Sequence, residues 1–197
     1  MSVFGTYSAN SIAYDEPFDR NGYARDGDGY QASIGVARQL TGKLDASLFA
    51  SYNDRSYDDP RLPNTSGWAG GGSLNWRATA LTNVTGTITS SIEETTSATA
   101  SGYLRTLYML RVDHELRRYL QINGFLAYSD NDYQLIEGAP ADARTGDQIY
   151  RFGIGLSWFI NRYLFLNASY AYEELDSNLP ADGYRVNTYW LTLGLER

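Results

Sequence analysis

The chain has 197 residues with no cysteine and a single histidine, which excludes a disulfide framework, a thiolate metal site and a histidine-rich metal cluster. Its formal net charge of −7 argues against a nucleic-acid partner, because proteins that bind phosphate backbones neutralise them with cations. A mean hydropathy of −0.41, with no run of 18 apolar residues, excludes a transmembrane helix. A transmembrane β-barrel remains compatible with these values, since only half of its strand residues face lipid.

Strand-like alternation of apolar and polar residues recurs along the whole chain. Residues 3–14 form the first segment, and its phase is ambiguous because Val3 and Tyr7 compete with Phe4 and Ile12 for the apolar face. Nine clear segments follow, and no convincing helix interrupts them. Their apolar faces begin, in chain order, at Tyr30, Leu44, Trp68, Val84, Leu104, Leu120, Tyr150, Leu164 and Tyr189. We therefore expect ten antiparallel strands in an all-β fold, which the 17 tyrosines also favour.

The connections between these segments alternate between tight and long. Tight turns are expected at 41–43, 79–82, 117–118 and 161–162. Long polar loops are expected at 15–29, 54–66, 130–147 and 173–182, with a shorter one at 95–101. Short turns on one side and long acidic loops on the other are typical of an antiparallel, up-and-down, transmembrane β-barrel. We expect one such domain over residues 1–197, with the strand at 3–14 closing the ring against the strand at 184–196.

Aromatic residues recur at two heights of the apolar face. Folding each hairpin about its turn places Tyr108 opposite Tyr128 and Tyr150 opposite Tyr172. The strand length between the tyrosines and the turns corresponds, after tilting, to a height of about 25 Å, which is that of the apolar band of a membrane barrel. The residues expected at the two membrane interfaces are Tyr52, Trp76, Tyr108, Tyr128, Tyr150, Trp158 and Tyr172.

A soluble barrel or sandwich with its apolar face turned inward is the alternative. Strands of soluble proteins average about five or six residues, whereas the alternating segments here are roughly twice as long. A soluble protein would also expose many lysines, and this chain is poor in lysine. Both properties favour the membrane barrel.

The last quarter of the chain, "GDQIYRFGIGLSWFINRYLFLNASYAYEELDSNLPADGYRVNTYWLTLGLER", resembles the C-terminal region of the putative beta-barrel porin 2 family. The resemblance lies in the hairpin from Gly153 to Ser177 and in the final strand with Tyr184 and Asn187. The segment "LRRYLQINGFLAYSDNDY" resembles the preceding hairpin of that family.

This resemblance implies a barrel in the outer membrane of Gram-negative bacteria, porin-like or engaged in exopolysaccharide export, with a periplasmic export component as its partner. Family members are usually longer than this chain. This leaves open whether the chain is part of a larger barrel or a reduced relative. Many outer-membrane barrels end on an aromatic residue, whereas this sequence ends Leu195-Glu196-Arg197, which leaves the position of the true terminus open.

Catalysis is not expected from these residues. His114 is the one possible imidazole base, and it lies near a tight turn on the lipid-side phase. A barrel protease or lipase needs its histidine near the loop end beside acidic or serine partners. Asp26-Gly-Asp-Gly29 lacks the downstream glutamate of a calcium-binding loop. We therefore expect no enzyme activity, no metal and no cofactor. The acidic loops suggest divalent cations that bridge them to lipopolysaccharide phosphates, with membrane lipid and lipopolysaccharide as partners.

Eight charged residues fall on the polar phase of the strands, where they would line the lumen. They are Asp45, Arg77, Glu93, Arg105, Arg111, Asp113, Arg151 and Glu173. Two interpretations remain open. In the first, the charges form a network that plugs the barrel, because a ring of about ten strands has a narrow bore. In the second, the charges line a polar path for a hydrophilic solute. With a plugged lumen, the acidic loops of a structural or adhesive barrel would bind a partner.

Overall fold

The structure is a computed structural model that describes residues 1–18, 22–62, 64–95, 97 and 99–195. In these ranges ten β-strands and one short 3₁₀ turn follow one another. The strands are β1 (Ser2–Ile12), β2 (Gly27–Thr41), β3 (Leu44–Tyr57), β4 (Thr65–Thr79), β5 (Thr82–Glu94), β6 (Ala100–Arg117), β7 (Leu120–Leu135), β8 (Gly146–Phe159), β9 (Leu164–Ser177) and β10 (Tyr184–Leu195). The 3₁₀ turn spans Pro180–Asp182. The chain end discussed above, Glu196 and Arg197, lies outside the described residues.

Each strand pairs with the next one along the chain. All nine ladders are antiparallel, and the strand order of the single sheet is β1 to β10. The predicted all-β, up-and-down meander of ten strands is therefore confirmed. No helix in the described part of the chain is long and apolar enough to cross a membrane.

The predicted closure of the ring is wrong. Strands β1 and β10 are the two edges of the sheet, and no ladder joins them among the described residues. The inference of a narrow bore depended on a ring of ten strands and falls with it.

The two faces of the sheet differ in polarity and in exposure. Outward Ile34, Leu126 and Ile154 are each at least 60% exposed, whereas the inward side chains of Ser51 and Ser129 are 1% exposed. A hydrogen bond also crosses the polar face. The Tyr57 hydroxyl of β3 donates to a backbone carbonyl at the start of β6, three strands away. The polar face is therefore concave, and the apolar face is convex.

The ambiguous phase of the first strand is resolved by its ladder to β2. Val3 pairs with Val36 and Gly5 with Ile34, and both partners belong to the convex face. Phe4 consequently lies on the concave face, opposite Gly35. The apolar residue at position 4 blurred the alternation because it is an inward aromatic in a polar wall.

The hairpin of β8 and β9 corrects one predicted register. Tyr108 does lie opposite Tyr128, but Tyr172 pairs with Phe152, and Tyr150 pairs with Glu174. The turn is wider than expected because the Asn161 side chain accepts hydrogen bonds from two backbone amides of the turn at 2.8 and 3.1 Å. This capping moves the centre of the hairpin and shifts the register by two residues.

The loops are shorter than predicted because the strands extend beyond the apolar band. Strand β7 continues to Leu135 and β9 to Ser177, through residues that the sequence assigned to loops. Polar residues on both faces do not prevent pairing there, since the ladder uses backbone groups alone. The sheet therefore continues past the apolar band on its loop side.

Four phenylalanines on the concave face each lie opposite a glycine of the neighbouring strand. The pairs are Phe4 with Gly35, Phe49 with Gly71, Phe125 with Gly153, and Phe165 with Gly194. At each glycine an added Cβ atom would overlap the aromatic ring. A ring that covers a glycine protects a bare stretch of backbone and fixes the local register. The rings therefore lie flat along the wall instead of filling the lumen.

Candidate solute path on the concave face

All eight charged residues singled out in the sequence lie on the concave face. The ladders place Asp45, Arg77, Arg111 and Asp113 near the turn end. Arg151 and Glu173 lie directly opposite each other, level with the loop-end tyrosines Tyr150 and Tyr172, and not diagonally as predicted. Glu93 and Arg105 lie nearer the loop end. Their role as pore-lining residues remains a prediction.

The ion pairs on this face run along the wall. Arg77 reaches Asp45 on the adjacent strand at 2.9 Å, and Arg111 reaches Asp113 on its own strand at 2.6 Å. Arg151 forms an ion pair with the Glu173 carboxylate, which also accepts a hydrogen bond from the Tyr184 hydroxyl. Each of these pairs joins residues of the same strand or of adjacent strands. Charges held against the wall leave the space above the concave face open, which favours the path over the plug.

One part of the wall carries no charge at mid-height. On β2 to β5, small hydroxyl side chains occupy inward positions of neighbouring strands. The hydroxyls of Ser47 and Ser73 are 2.8 Å apart, and the Asn75 amide donates to Thr85 at 3.2 Å. The buried Ser51 hydroxyl has no partner in the described part of the chain. The inward hydroxyl residues are Ser33, Ser47, Ser51, Ser73, Thr85, Thr87 and Thr89.

The sequence prediction did not include these small residues, because it selected site candidates by their charge. Their signal was nonetheless visible in the sequence as serine or threonine at alternate positions of consecutive strands. We call this surface, made of the seven residues just named, the hydroxyl wall. It presents donors and acceptors without fixed charge.

Loops fold over the concave face at the end opposite to the turns, and we call this loop end of the concave face the mouth. The Arg25 guanidinium donates to the backbone carbonyls of Thr95 and Ser97 at 2.8 and 3.3 Å, which ties the first loop to the third. Asp59 accepts from the Ala24 amide at 3.1 Å and pairs with Arg61. These hydrogen bonds to Arg61 hold the pKa of Asp59 well below its usual range.

A second loop cluster lies over β7 to β9. The Asn178 side chain accepts hydrogen bonds from the amides of Thr145 and Gly146 and donates to the Ala143 carbonyl at 2.9 Å. Arg144 pairs with the buried Asp147 at 2.6 Å, and this carboxylate raises the pKa of Arg144 above its ordinary value. The mouth is thus bordered by two braced groups of loops.

The seven aromatic residues expected at the membrane interfaces lie on the convex face. Tyrosine hydroxyls at the loop end point towards the loops: Tyr150 donates to Gln148 and Tyr172 to Glu174. Such an orientation suits rings in lipid with hydroxyls at the headgroups. Further members that the sequence did not identify continue the row through ring contacts, namely Tyr7, Tyr30, Trp68, Tyr170 and Tyr189. Assignment of the row to the interface remains a prediction.

His114 lies on the convex face near a turn, and its Nδ1 is 2.9 Å from the Thr82 hydroxyl. In the described ranges, no group of three or more histidine, cysteine, aspartate or glutamate residues is arranged to hold a metal ion. The polar face presents hydrogen-bonding groups and paired charges.

Comparison with known proteins relates this sheet to outer-membrane barrels. The structure is similar to the siderophore receptor PirA from Pseudomonas aeruginosa, with a TM-score of 0.61 and 14% sequence identity over 96% of this chain and 34% of that chain. A chain of the FpvAI–pyocin S2 complex gives a TM-score of 0.58 and 10% identity over 97% and 32% of the two chains. The NanC porin gives a TM-score of 0.46 and 12% sequence identity over 99% of this chain and 94% of that chain. No curated protein matches the sequence.

The chain thus spans about a third of the length of the first two structures, and identities this low show the fold alone. The sequence itself matches the model of one protein family over residues 1–197, its whole length. The antiparallel meander, the apolar convex face and the polar concave face agree with that match. The chain belongs to the putative beta-barrel porin 2 family and is a porin-like β-barrel protein of the bacterial outer membrane.

Proposed function

We propose that the chain forms part of the wall of a pore that carries hydrophilic solutes across the outer membrane. The observation that supports this is the hydroxyl wall, which offers hydrogen bonds at mid-height without large or charged side chains. Three ion pairs, Asp45 with Arg77, Arg111 with Asp113 and Arg151 with Glu173, run along the wall, which supports an open lumen over a plugged one. Neither of these features needs a ring of only ten strands.

The natural solute in this proposal is a polysaccharide that moves outward. Sugar hydroxyls exchange hydrogen bonds readily with serine, threonine and asparagine side chains, so a chain of sugars can pass from one group to the next. Inward rings such as Phe49 and Phe125 offer flat apolar surfaces for the C–H faces of sugars. A periplasmic export component would deliver the polymer, and lipopolysaccharide would surround the loop end.

Flux of neutral oligosaccharides into vesicles tests this proposal. Ser47→Trp and Ser73→Trp put a bulky ring on the hydroxyl wall, and we expect each to reduce the flux several-fold. Leu48→Trp is the matched control, because the next residue along β3 faces outward and the same ring there should leave the flux unchanged. Equal effects of the inward and outward substitutions would contradict a path on the concave face.

A second candidate function is a structural or adhesive barrel whose braced acidic loops bind a partner. The contacts of Arg25 with Thr95 and Ser97 favour it, because they tie loops together over the mouth. If the loops close the mouth, Arg25→Ala should raise the flux of oligosaccharides through an otherwise silent protein. If the wild-type protein already conducts, the adhesive barrel loses its main support.

We also propose that the chain has no catalytic activity. His114 lies near a turn, and its ring nitrogen Nδ1 is within hydrogen-bonding distance of the Thr82 hydroxyl. Ester and peptide hydrolysis by the reconstituted protein should equal that of empty vesicles. Hydrolysis that disappears in His114→Ala would overturn this view.

A further inference from the structure

Charge is distributed unequally along the barrel axis. The described part of the chain near the turns carries seven cationic side chains against three carboxylates, although the whole chain has a net charge of −7. The cations are Arg38, Lys43, Arg77, Arg111, Arg117, Arg118 and Arg162. The carboxylates are Asp45, Asp113 and Glu115. The turn end is therefore positive on an otherwise acidic protein.

The cations differ in whether they have an acidic partner. Arg77 and Arg111 form ion pairs on the concave face. Within the described residues no ion pair forms at Arg38, Arg118 or Arg162, and all three are exposed. Among the same described residues, Arg117 donates only to the Leu116 carbonyl. Four arginines near the turns are thus open to an external anion.

Aromatic side chains lie beside these arginines. Tyr119 and Tyr163 are exposed at the turns, next in sequence to Arg118 and Arg162, and the Arg162 guanidinium lies over the Tyr163 ring at 4.5 Å. Arg38 faces outward on β2, since it pairs with Ala46 of the convex face. Exposed tyrosine beside arginine is the combination found where a barrel meets lipid headgroups.

We propose that this turn-end collar, made of Arg38, Arg117, Arg118, Arg162, Tyr119 and Tyr163, binds the phosphate groups of anionic phospholipids in the leaflet on the turn side. Guanidinium groups match phosphate oxygens in charge and in geometry. The overall charge of −7 would repel an anionic bilayer, so any preference for anionic lipid must come from a local site. The collar supplies such a site at the height where the headgroups lie.

Stability in vesicles of two compositions tests the collar. The whole chain is folded into phosphatidylcholine vesicles and into vesicles that also contain phosphatidylglycerol, and its urea-unfolding equilibrium is measured in each. We expect a larger folding constant with phosphatidylglycerol and loss of the difference at high salt. Each arginine removed in the series R38Q, R118Q and R162Q should reduce the preference about fivefold. Soluble glycerol phosphate should not replace the lipid.

R185Q is the matched control, because it also removes one arginine charge but at the loop end, where Arg185 pairs with Glu174. It should keep the preference for phosphatidylglycerol. A second measurement, energy transfer from tryptophan to headgroup-labelled lipid, reports local lipid enrichment even if the triple variant folds poorly. The collar is refuted if the wild type folds equally well or less well with phosphatidylglycerol, or if the triple variant keeps the full preference and enrichment.

Discussion

Four glycines at inward strand positions each face a phenylalanine of the neighbouring strand. Gly153 shows this most simply, because the atoms that its added Cβ would meet all belong to the Phe125 ring. The ring can lie flat against the backbone only where no side chain stands beneath it. The pair therefore fixes where the wall is thin and where it is lined by an aromatic surface.

The first prediction concerns this pair. Gly153→Ala should destabilise the fold by about 1–3 kcal/mol, because the new methyl group displaces the ring. In the Phe125→Ala background, Gly153→Ala should destabilise the fold less. The coupling energy between the two substitutions should be about 0.5 kcal/mol or more. A double-mutant cycle in lipid vesicles measures it. Gly86→Ala is the control, since nothing lies within 4 Å of its added Cβ. Additive effects would contradict ring-over-glycine packing.

The second prediction concerns pH and the loop held by Asp59. Arg61 lowers the pKa of this carboxylate, so the folded loop favours the ionised form. The stabilisation is complete above the ordinary value of 3.8 and is lost as pH falls through the lowered pKa. We expect the Ala24 amide, which donates to Asp59, to lose hydrogen-exchange protection in acid after correction for intrinsic rates.

Asp59→Asn should remove this acid dependence and lower the protection of the Ala24 amide already at neutral pH. The Thr145 amide serves as an internal control, because its acceptor is the neutral Asn178 side chain. Identical pH profiles for the two amides would show that the Asp59 carboxylate does not hold the first loop.

Regular elements were predictable from the sequence because their period of two is imposed by the membrane. Every outward residue between the interfaces must be apolar, so the existence, order and phase of β2 to β10 followed from alternation alone. The exact register of β8 and β9 did not, because it depends on the side chain of Asn161 in the turn. A local hydrogen bond of this kind leaves no periodic signal.

The candidate site was only partly predictable for a similar reason. Charged residues on the inward phase were evident, and the six of them that form ion pairs have partners on the same or the adjacent strand. The hydroxyl wall was less evident, since an isolated serine is as common on a soluble surface as in a pore. The loop contacts of Arg25 with Thr95 and Ser97 span some 70 residues and could not be read from any local pattern.

The third prediction tests the register of β8 and β9. Cysteines at positions 152 and 172 lie directly opposite each other in the structure and should form a disulfide in the folded protein. The alternative pair at 150 and 172, which follows from a hairpin centred on position 161, should cross-link poorly. The ratio of the two yields under mild oxidation decides between the registers.

At the scale of the whole molecule, the two free edges set what the sheet can become. Unpaired backbone groups of an edge strand are costly in lipid, so β1 and β10 need strand partners in a membrane. The likeness to about a third of a larger barrel chain agrees with an arc that is completed by other strands. A wider ring would also leave the room beside the hydroxyl wall that the proposed polysaccharide export requires.

The fourth prediction follows from this arc. Cysteine pairs that scan registers between residues 5–9 of β1 and 188–194 of β10 should not cross-link within one chain. Cysteines at positions 108 and 128, which are opposite each other on β6 and β7, provide the positive control. Efficient cross-linking of β1 to β10 within a single chain would establish a closed ring of ten strands and restore the narrow bore.

The central claim is that the convex face meets lipid and that the concave face meets water. Single nitroxide labels at positions 152 to 158 of β8, in protein folded into vesicles, test it most directly. We predict that labels at positions 152, 154, 156 and 158 collide with lipid-soluble oxygen. Labels at positions 153, 155 and 157 should collide with a water-soluble nickel complex. Two accessibility curves of period two in opposite phase would support the claim, and curves in phase, or with the two reagents exchanged, would contradict it.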